Sequence, residues 1–439
     1  MSRQINFKTY ASHKVLNYLT RMMNAPLACR VAFLVLTASF LNAFLSVIAT
    51  VVGAIYLLLQ SSQRKAIFSD TINIITSFFI IMTLVVGLVY GNVVGTFACL
   101  FFACLFVLMA SLRAVITRRH FEDLITCYLV YSVFAVAVAI IEKLLNSDNA
   151  LYRTCSTFLN PLYYSYFVAL AAVMATYRLV VSTRAKLAHS LVLIVNILGM
   201  FLSGGRLPWM GMFLGCLAVL LLCKRYKLML VFSAVIGVMV LLAALFPDVE
   251  LFAALRLSSI DSGYNMRIPY WKRAVECFEQ SPVAGQGFLA VLNSSIGDNL
   301  DLFSQFFKTF NLADFFADMK SRGWMLHAHN ILFDLISCFG ILGTLMLLFC
   351  IIRYLSKMYR NFDHTSSQPM IALMVGFICT LCVCSILDCY YIGAQTSVFT
   401  VILFSATGLK KEKEYDKFKA DITLEDIKSL FKNTLQRKG

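Results

Sequence analysis

The sequence predicts an all-α, polytopic membrane protein of about twelve transmembrane helices with one large external loop. Three observations predict it. The chain of 439 residues is 60% hydrophobic and only 14% charged, which is too little polar surface for a soluble domain. Apolar runs of spanning length recur between residues 31 and 407, and such runs mark membrane spans. None of them alternates polar and apolar residues. In lipid every backbone amide needs a partner within the protein, so runs without that alternation form helices rather than a barrel.

The elements follow in order. Residues 1–30 are polar and carry Lys8, Lys14, Arg21 and Arg30, which places this segment in the cytoplasm. The apolar run that follows is too long for the core of a cleavable signal. Residues 31–59 are long for one span and short for two. A hairpin of two short helices bending near Asn42 puts Arg64, Lys65 and every later basic connector on the same side, as the positive-inside rule requires. Residues 73–90 then run outward to a Gly91-Asn92 turn, and 93–112 return to Arg113, Arg118 and Arg119. Residues 124–145 go out to a short loop around Arg153, and 162–181 return to Arg184 and Lys186. Residues 188–202 lead out to Ser203-Gly204-Gly205-Arg206, 207–223 return to Lys224, Arg225 and Lys227, and 228–246 go out again. Residues 247–330 are the one long polar segment and form the extracytoplasmic loop. Residues 331–352 return to Arg353, Lys357 and Arg360, 369–387 go out, and 391–407 come back. The spans therefore fill 31–246 and 331–407, and both termini are cytoplasmic. In the tail, 408–439, Thr423-Leu424-Glu425-Asp426 has the form of a capping box. Leu424, Ile427, Leu430, Phe431 and Leu435 follow at helical spacing. They form an amphipathic helix lying on the inner leaflet or a short solvated one.

The formal charge of +15 does not indicate a nucleic-acid partner. The basic residues sit in short connectors, and residues 248–330 hold nine acidic against seven basic side chains. The excess reports orientation in the membrane. The 14 cysteines lie mostly inside apolar runs. Cys379, Cys382 and Cys384 have no histidine near them in sequence and read as small hydrophobes rather than metal ligands.

No phosphate-cradling glycine loop, HExxH or nucleophile elbow is present. The candidate chemistry lies in three groups of polar residues at the outer ends of helices. The first is Ser203-Gly204-Gly205-Arg206. Glycines let the chain turn sharply there. An arginine at that depth is either paired in a polar cavity or snorkels to headgroups. In the first case its guanidinium suits two phosphate oxygens. The second is 267–274, Arg-Ile-Pro-Tyr-Trp-Lys-Arg-Ala. If helical after Pro269, it puts Arg267 and Trp271 on one face, with Arg273 beside them. Pro282, Gly285 and Gly287 then turn the chain back to the membrane. An interfacial helix with a belt tryptophan has the same look. The third is His327-Ala328-His329-Asn330, where the loop re-enters. An imidazole here suits a general base for a hydroxyl or a phosphate contact. With no further histidine or adjacent cysteine on that face, two histidines are a weak metal site. Asp334, one turn beyond Asn330, is a second polar contact or a buried carboxylate partner.

In their order and spacing these three groups resemble the O-antigen ligase and polymerase superfamily of bacterial membrane glycosyltransferases. That family has a small-residue turn ending in Arg, an Arg-x-x-x-Trp helix followed by Pro-x-x-Gly-x-Gly, and a His-Asn followed by Gly-x-x-Gly. Here these are 203–206, 267–287, and His329-Asn330 with Gly340 and Gly343. Where the family often has a glutamate two residues before the glycine of the last group, this chain has Cys338. The resemblance covers about 191–343. It implies a multi-pass protein of the bacterial inner membrane whose donor is a glycan on undecaprenyl pyrophosphate. The acceptor is a growing glycan or the lipid A core. It also implies attack by an acceptor hydroxyl at the anomeric carbon with inversion, and no nucleotide sugar or metal cofactor. Arg206 and Arg267 would neutralise the leaving pyrophosphate, and His329 would orient or deprotonate the acceptor. Trp271, Arg273, His327, Asn330 and Asp334 would bind substrate beside them. Polymerisation of O-antigen, capsule or exopolysaccharide is the expected reaction, with ligation to lipid A core as the alternative. A flippase would instead carry ionisable groups in mid-span, and the chemistry-bearing groups here gather at one face.

Overall fold

The computed structural model describes residues 21–147, 152–182, 185–246, 265, 267–295, 325–361, 368–386, 388 and 393–409. Its elements among these residues are helices: α1 Leu27–Leu41, α2 Ala43–Leu59, α3 Ser61–Phe68, α4 Thr71–Val89, α5 Val93–Val115, α6 Arg118–Leu145, α7 Pro161–Val181, α8 Lys186–Ser203, α9 Arg206–Leu222 and α10 Tyr226–Leu245. After these come α11 Ile268–Gln280, α12 Ala290–Ser295, α13 Ile331–Asn361, α14 Gln368–Cys384 and α15 Ala394–Phe404, which runs into a 3-10 turn, Ser405–Gly408. Six of them are long and apolar enough to cross a membrane, and several shorter apolar helices pack beside them. The chain is an all-α polytopic membrane protein, as its composition predicts.

The break expected at Asn42 is present. Its side chain accepts a hydrogen bond from the Phe44 amide at 2.7 Å and so caps α2. The Ser39 and Ser46 hydroxyls meet at 2.7 Å across the hairpin. The Gly91-Asn92 turn is also where the sequence puts it, with Gly91 left-handed at φ 63°. Three features differ from the sequence reading. Helix α3 follows α2 at a 94° bend, where hydropathy suggests only a connector. Helix α6 starts at Arg118 rather than near 124, because the acidic residues just after its first turn are paired: Glu122 with Arg178 at 2.9 Å and Asp123 with Arg21 at 3.1 Å. The segment read as one continuous span from 331 is broken at Gly340, at φ 61° and ψ −168°, and continues to Asn361. The expected tail helix over 424–435 lies outside the described residues, as do 247–264 and 296–324 of the long loop.

Helix α7 is the hub, buried from Tyr164 to Arg178 and packed against α6, α8, α9, α14 and α15. Its neighbours α9 and α14 run antiparallel at close range. Gly211 faces Thr380 and Cys384, and Gly215 faces Thr380 and Gly376. Small residues let two backbones approach where lipid supplies no hydrophobic drive between helices. The end of the bundle that carries the basic connectors is tied by a second polar network. Asp70 takes Lys357 at 2.7 Å and Arg113 at 3.6 Å. Arg113 donates onward to Asn73 and Thr407 at 3.0 and 2.8 Å. Leu88, Val52, Leu230 and Leu345 are among many large apolar side chains left exposed on the outer helices. An apolar perimeter is what a bilayer-facing surface requires.

Candidate active site

The break in α13 is built by two distant stretches that satisfy each other. At Gly340 the helix gives up its regular ladder, which frees carbonyls before the break and amides after it. Residues 282–287 fill both sets. The amides of Gln286 and Gly287 donate to the carbonyls of Ser337 and Cys338 at 3.1 and 2.9 Å. The amides of Ile341 and Leu342 donate to the carbonyls of Pro282 and Val283 at 2.8 and 3.1 Å. Gly285 and Gly340 are both left-handed, at φ 70° and 61°. A Cβ on Gly285 would overlap the Cys338 carbonyl, and one on Gly340 the Val283 carbonyl. From the other side the Asn92 side chain donates to the carbonyls of Gln286 and Phe288 at 3.2 and 2.6 Å. The glycines of the two motifs thus form a backbone clasp that seats α11 and α12 on the membrane helices.

The short half-helix before the clasp begins at His327-Ala328-His329-Asn330. Asn330 caps it, accepting from the amides of Leu332 and Phe333 at 2.9 and 3.3 Å. Its NH2 donates to the Ile386 carbonyl at 2.8 Å, and the Ile331 amide donates to Ser385 O at 3.0 Å. Both bonds pin this start to the end of α14. Asp334 is buried and accepts from the Ala328 amide at 2.7 Å, so its carboxylate shapes the histidine turn. His329 has φ 52°, a conformation uncommon for a residue with a side chain and one that clusters at functional sites. Its amide donates to Nδ1 of His327 at 3.0 Å. That bond leaves the His327 proton on Nε2, which faces Asp388 Oδ1 at 3.6 Å. Nδ1 of His329 lies 3.4 Å from the same oxygen, without hydrogen-bond geometry. The two rings are 4.1 Å apart. Burial, and then the neighbouring His329, push the His327 pKa down to about 4, so this ring is neutral near pH 7.

The remaining sequence candidates divide. Arg267 precedes α11, and the Trp271 amide donates to its carbonyl at 3.1 Å, so both lie on the first turn. The Arg267 charge is the smallest of the causes acting on the His327 pKa, and it lowers it. Tyr270 meets the His329 ring edge-on at 5.0 Å, and Trp271 stacks on Phe333 at 5.7 Å. Arg206 opens α9 after Gly204, which is left-handed at φ 61°. Because α9 and α14 are antiparallel, the start of α9 and the His329 turn lie at the same end of α14. Arg273 is held by partners within the loop. Its guanidinium is bound to Ser294 through both Oγ and the carbonyl, and to Glu276 at 2.7 Å. It joins α11 to α12.

Sequence reasoning misses Asp388. It sits past α14, where hydropathy shows only the end of a span, and it is 4% exposed. The one signal available was a carboxylate at the outer end of an apolar run, where an unpaired charge is costly. With His327 and His329 it forms a trio whose donor atoms all lie within 4.8 Å. That trio has the make-up of a relay in which a carboxylate orients an imidazole, and also of a cation site.

Residues 191–348 match a family model described as O-antigen ligase. The match spans the turn before Arg206, the Arg267 helix, the glycine clasp and the histidine turn. A comparison with curated proteins finds no match.

Proposed function

We propose, supported by the match of residues 191–348 to the O-antigen ligase family model, that the chain is a membrane glycosyltransferase of envelope polysaccharide synthesis. It would transfer a glycan from undecaprenyl pyrophosphate to a glycan acceptor at the outer face of the bacterial inner membrane. The single observation that carries this reading is the His329–Asp388 pair, 3.4 Å apart, set at a helix start against Tyr270 of the helix that follows Arg267. A small turn of the His329 ring would let Asp388 accept from its Nδ1–H, leaving Nε2 as a base. Nε2 takes the proton of the acceptor hydroxyl as its oxygen attacks the anomeric carbon. The bond from that carbon to the donor's phosphate oxygen breaks, and lipid pyrophosphate leaves with the bonding pair. Arg206 and Arg267 offset its growing charge, and the carboxylate of Asp388 stabilises the imidazolium. Trp271 and Asn330 line the approach, while His327 and Asp334 hold the turn in shape. We assign polymerisation rather than ligation to lipid A core. The loop, residues 247–330, would face outward, because the connectors at the opposite end carry the basic residues.

The test uses the purified protein in nanodiscs with a lipid-pyrophosphate oligosaccharide, offered either a second copy of that oligosaccharide or lipid A core as acceptor. Chain growth supports polymerisation, and transfer only to core establishes ligation. No transfer to either acceptor removes the reading. The His327, His329 and Asp388 trio supports one further version, in which a bound cation replaces the proton relay. Loss of activity with a chelator, restored by a divalent metal, would establish it.

A further inference from the structure

Residues 152–156, between α6 and α7, are anchored to α6 by side-chain hydrogen bonds. The carboxylate of Glu142 accepts the amides of Cys155 and Ser156 at 3.0 and 2.7 Å, and the Tyr152 hydroxyl at 2.8 Å. Ser156 is left-handed at φ 55°, and its hydroxyl donates to the Ala135 carbonyl at 2.7 Å. The loop so held reaches the end of α8. The Thr154 amide donates to the Leu202 carbonyl at 3.1 Å, and Nε of Arg153 donates to the Ser203 carbonyl at 2.8 Å. On its other side this turn lies on α7, where a Cβ on Gly205 would overlap the Ser165 hydroxyl. The three residues between that strut and that wall are Ser203, Gly204 and Gly205, and the next is Arg206.

Two glycines give a turn freedom, which is the wrong property for a residue that must meet a phosphate within a few tenths of an ångström. The geometry points to Arg153 as a positioning residue that fixes the α8–α9 turn and thereby aims Arg206 at the donor pyrophosphate, with Glu142 as the anchor. The part of this inference that concerns the donor rests on the glycosyltransferase reading. The mechanical part does not. The bond that braces the turn runs from Nε of Arg153 to the Ser203 carbonyl, and an ammonium can also donate such a bond. Arg206 must match two phosphate oxygens, which an ammonium does less well.

The experiment pairs kinetics with amide exchange on the full chain in nanodiscs, comparing Arg153→Gln, Arg153→Lys and Glu142→Gln with wild type. Arg153→Gln is expected to raise the KM for the lipid-pyrophosphate donor about tenfold and to leave the acceptor KM unchanged. Amide exchange over 200–207 speeds up at least tenfold, while the melting temperature stays within a few degrees. Arg153→Lys stays within about threefold of wild type in both readouts, and Glu142→Gln falls between them. Unchanged exchange over 200–207 in Arg153→Gln overturns the strut, whatever the activity. Faster exchange with an unchanged donor KM overturns its link to Arg206. A lysine variant as impaired as the glutamine variant in donor KM, with normal exchange, overturns positioning in favour of direct phosphate contact. If wild type transfers no lipid-pyrophosphate glycan but exchange behaves as expected, the strut stands and the glycosyltransferase reading falls.

Discussion

Gly340 and Gly285 approach so closely that a Cβ on Gly340 would stand 2.6 Å from the Gly285 amide nitrogen. Both are left-handed, so each is constrained twice, by its own backbone and by its partner's. Gly340→Ala or Gly285→Ala is expected to destabilise the protein by about 1–3 kcal/mol from backbone strain alone, with the overlap added. The outcome is a lower melting temperature in nanodiscs and loss of transfer, because the clasp seats both the Arg267 helix and the His329 turn. A variant with wild-type melting and activity would show the clasp to be dispensable.

The two histidines are not equivalent. His329 is the ring left partly open, and His327 is buried and neutral. His329→Ala is expected to lower kcat by 10²–10⁴, the usual range for a lost general base. His327→Ala reduces transfer several-fold by loosening the turn. Equal losses in the two would refute the division of labour.

Asp388→Asn keeps the shape of the side chain and removes its charge. The expected result is a kcat at least tenfold lower with little change in donor KM, since the residue acts on the imidazole. Full activity in this variant would detach Asp388 from the chemistry.

Arg206→Lys and Arg267→Lys retain the charge and lose the two-pronged donor. Both should reduce kcat/KM for the lipid donor by at least tenfold while the protein still reaches the membrane. Normal glycan chain lengths in a strain carrying either variant would argue against a phosphate clamp.

His327 also gives stability a pH dependence. Its folded pKa of about 4 lies below the ordinary value of 6.5. Between those values the unfolded chain binds a proton that the folded one does not, so stability falls as pH drops from about 6.5 towards 4. The full shift corresponds to roughly 3 kcal/mol. Melting temperatures across that window should decline for wild type and flatten for His327→Gln. Parallel curves for the two would assign the acid sensitivity to other groups.

The sequence alone determined the class of protein and the ends of most helices. Hydropathy sums the transfer free energy of side chains over a window, and in lipid that quantity dominates. Local backbone chemistry was legible too. The cap at Asn42, the turn at Gly91-Asn92 and the start of α11 after Arg267 depend on a few neighbouring residues. The three motifs that carry Arg206, Arg267 and His329 could be read for the same reason. Tertiary structure alone decided how they meet. The break at Gly340 is invisible in an apolar run, because its backbone partners are Pro282, Val283, Gln286 and Gly287, more than fifty residues earlier. Asp388 looks like the frayed end of a span until Asn330 binds Ile386 and brings the carboxylate to both histidines. That Arg273 ties to Ser294 and Glu276 is likewise set by the fold of residues 273–294. Each of these depends on hydrogen bonds and charges between segments far apart in the chain, and no local pattern of hydrophobicity encodes such a pairing.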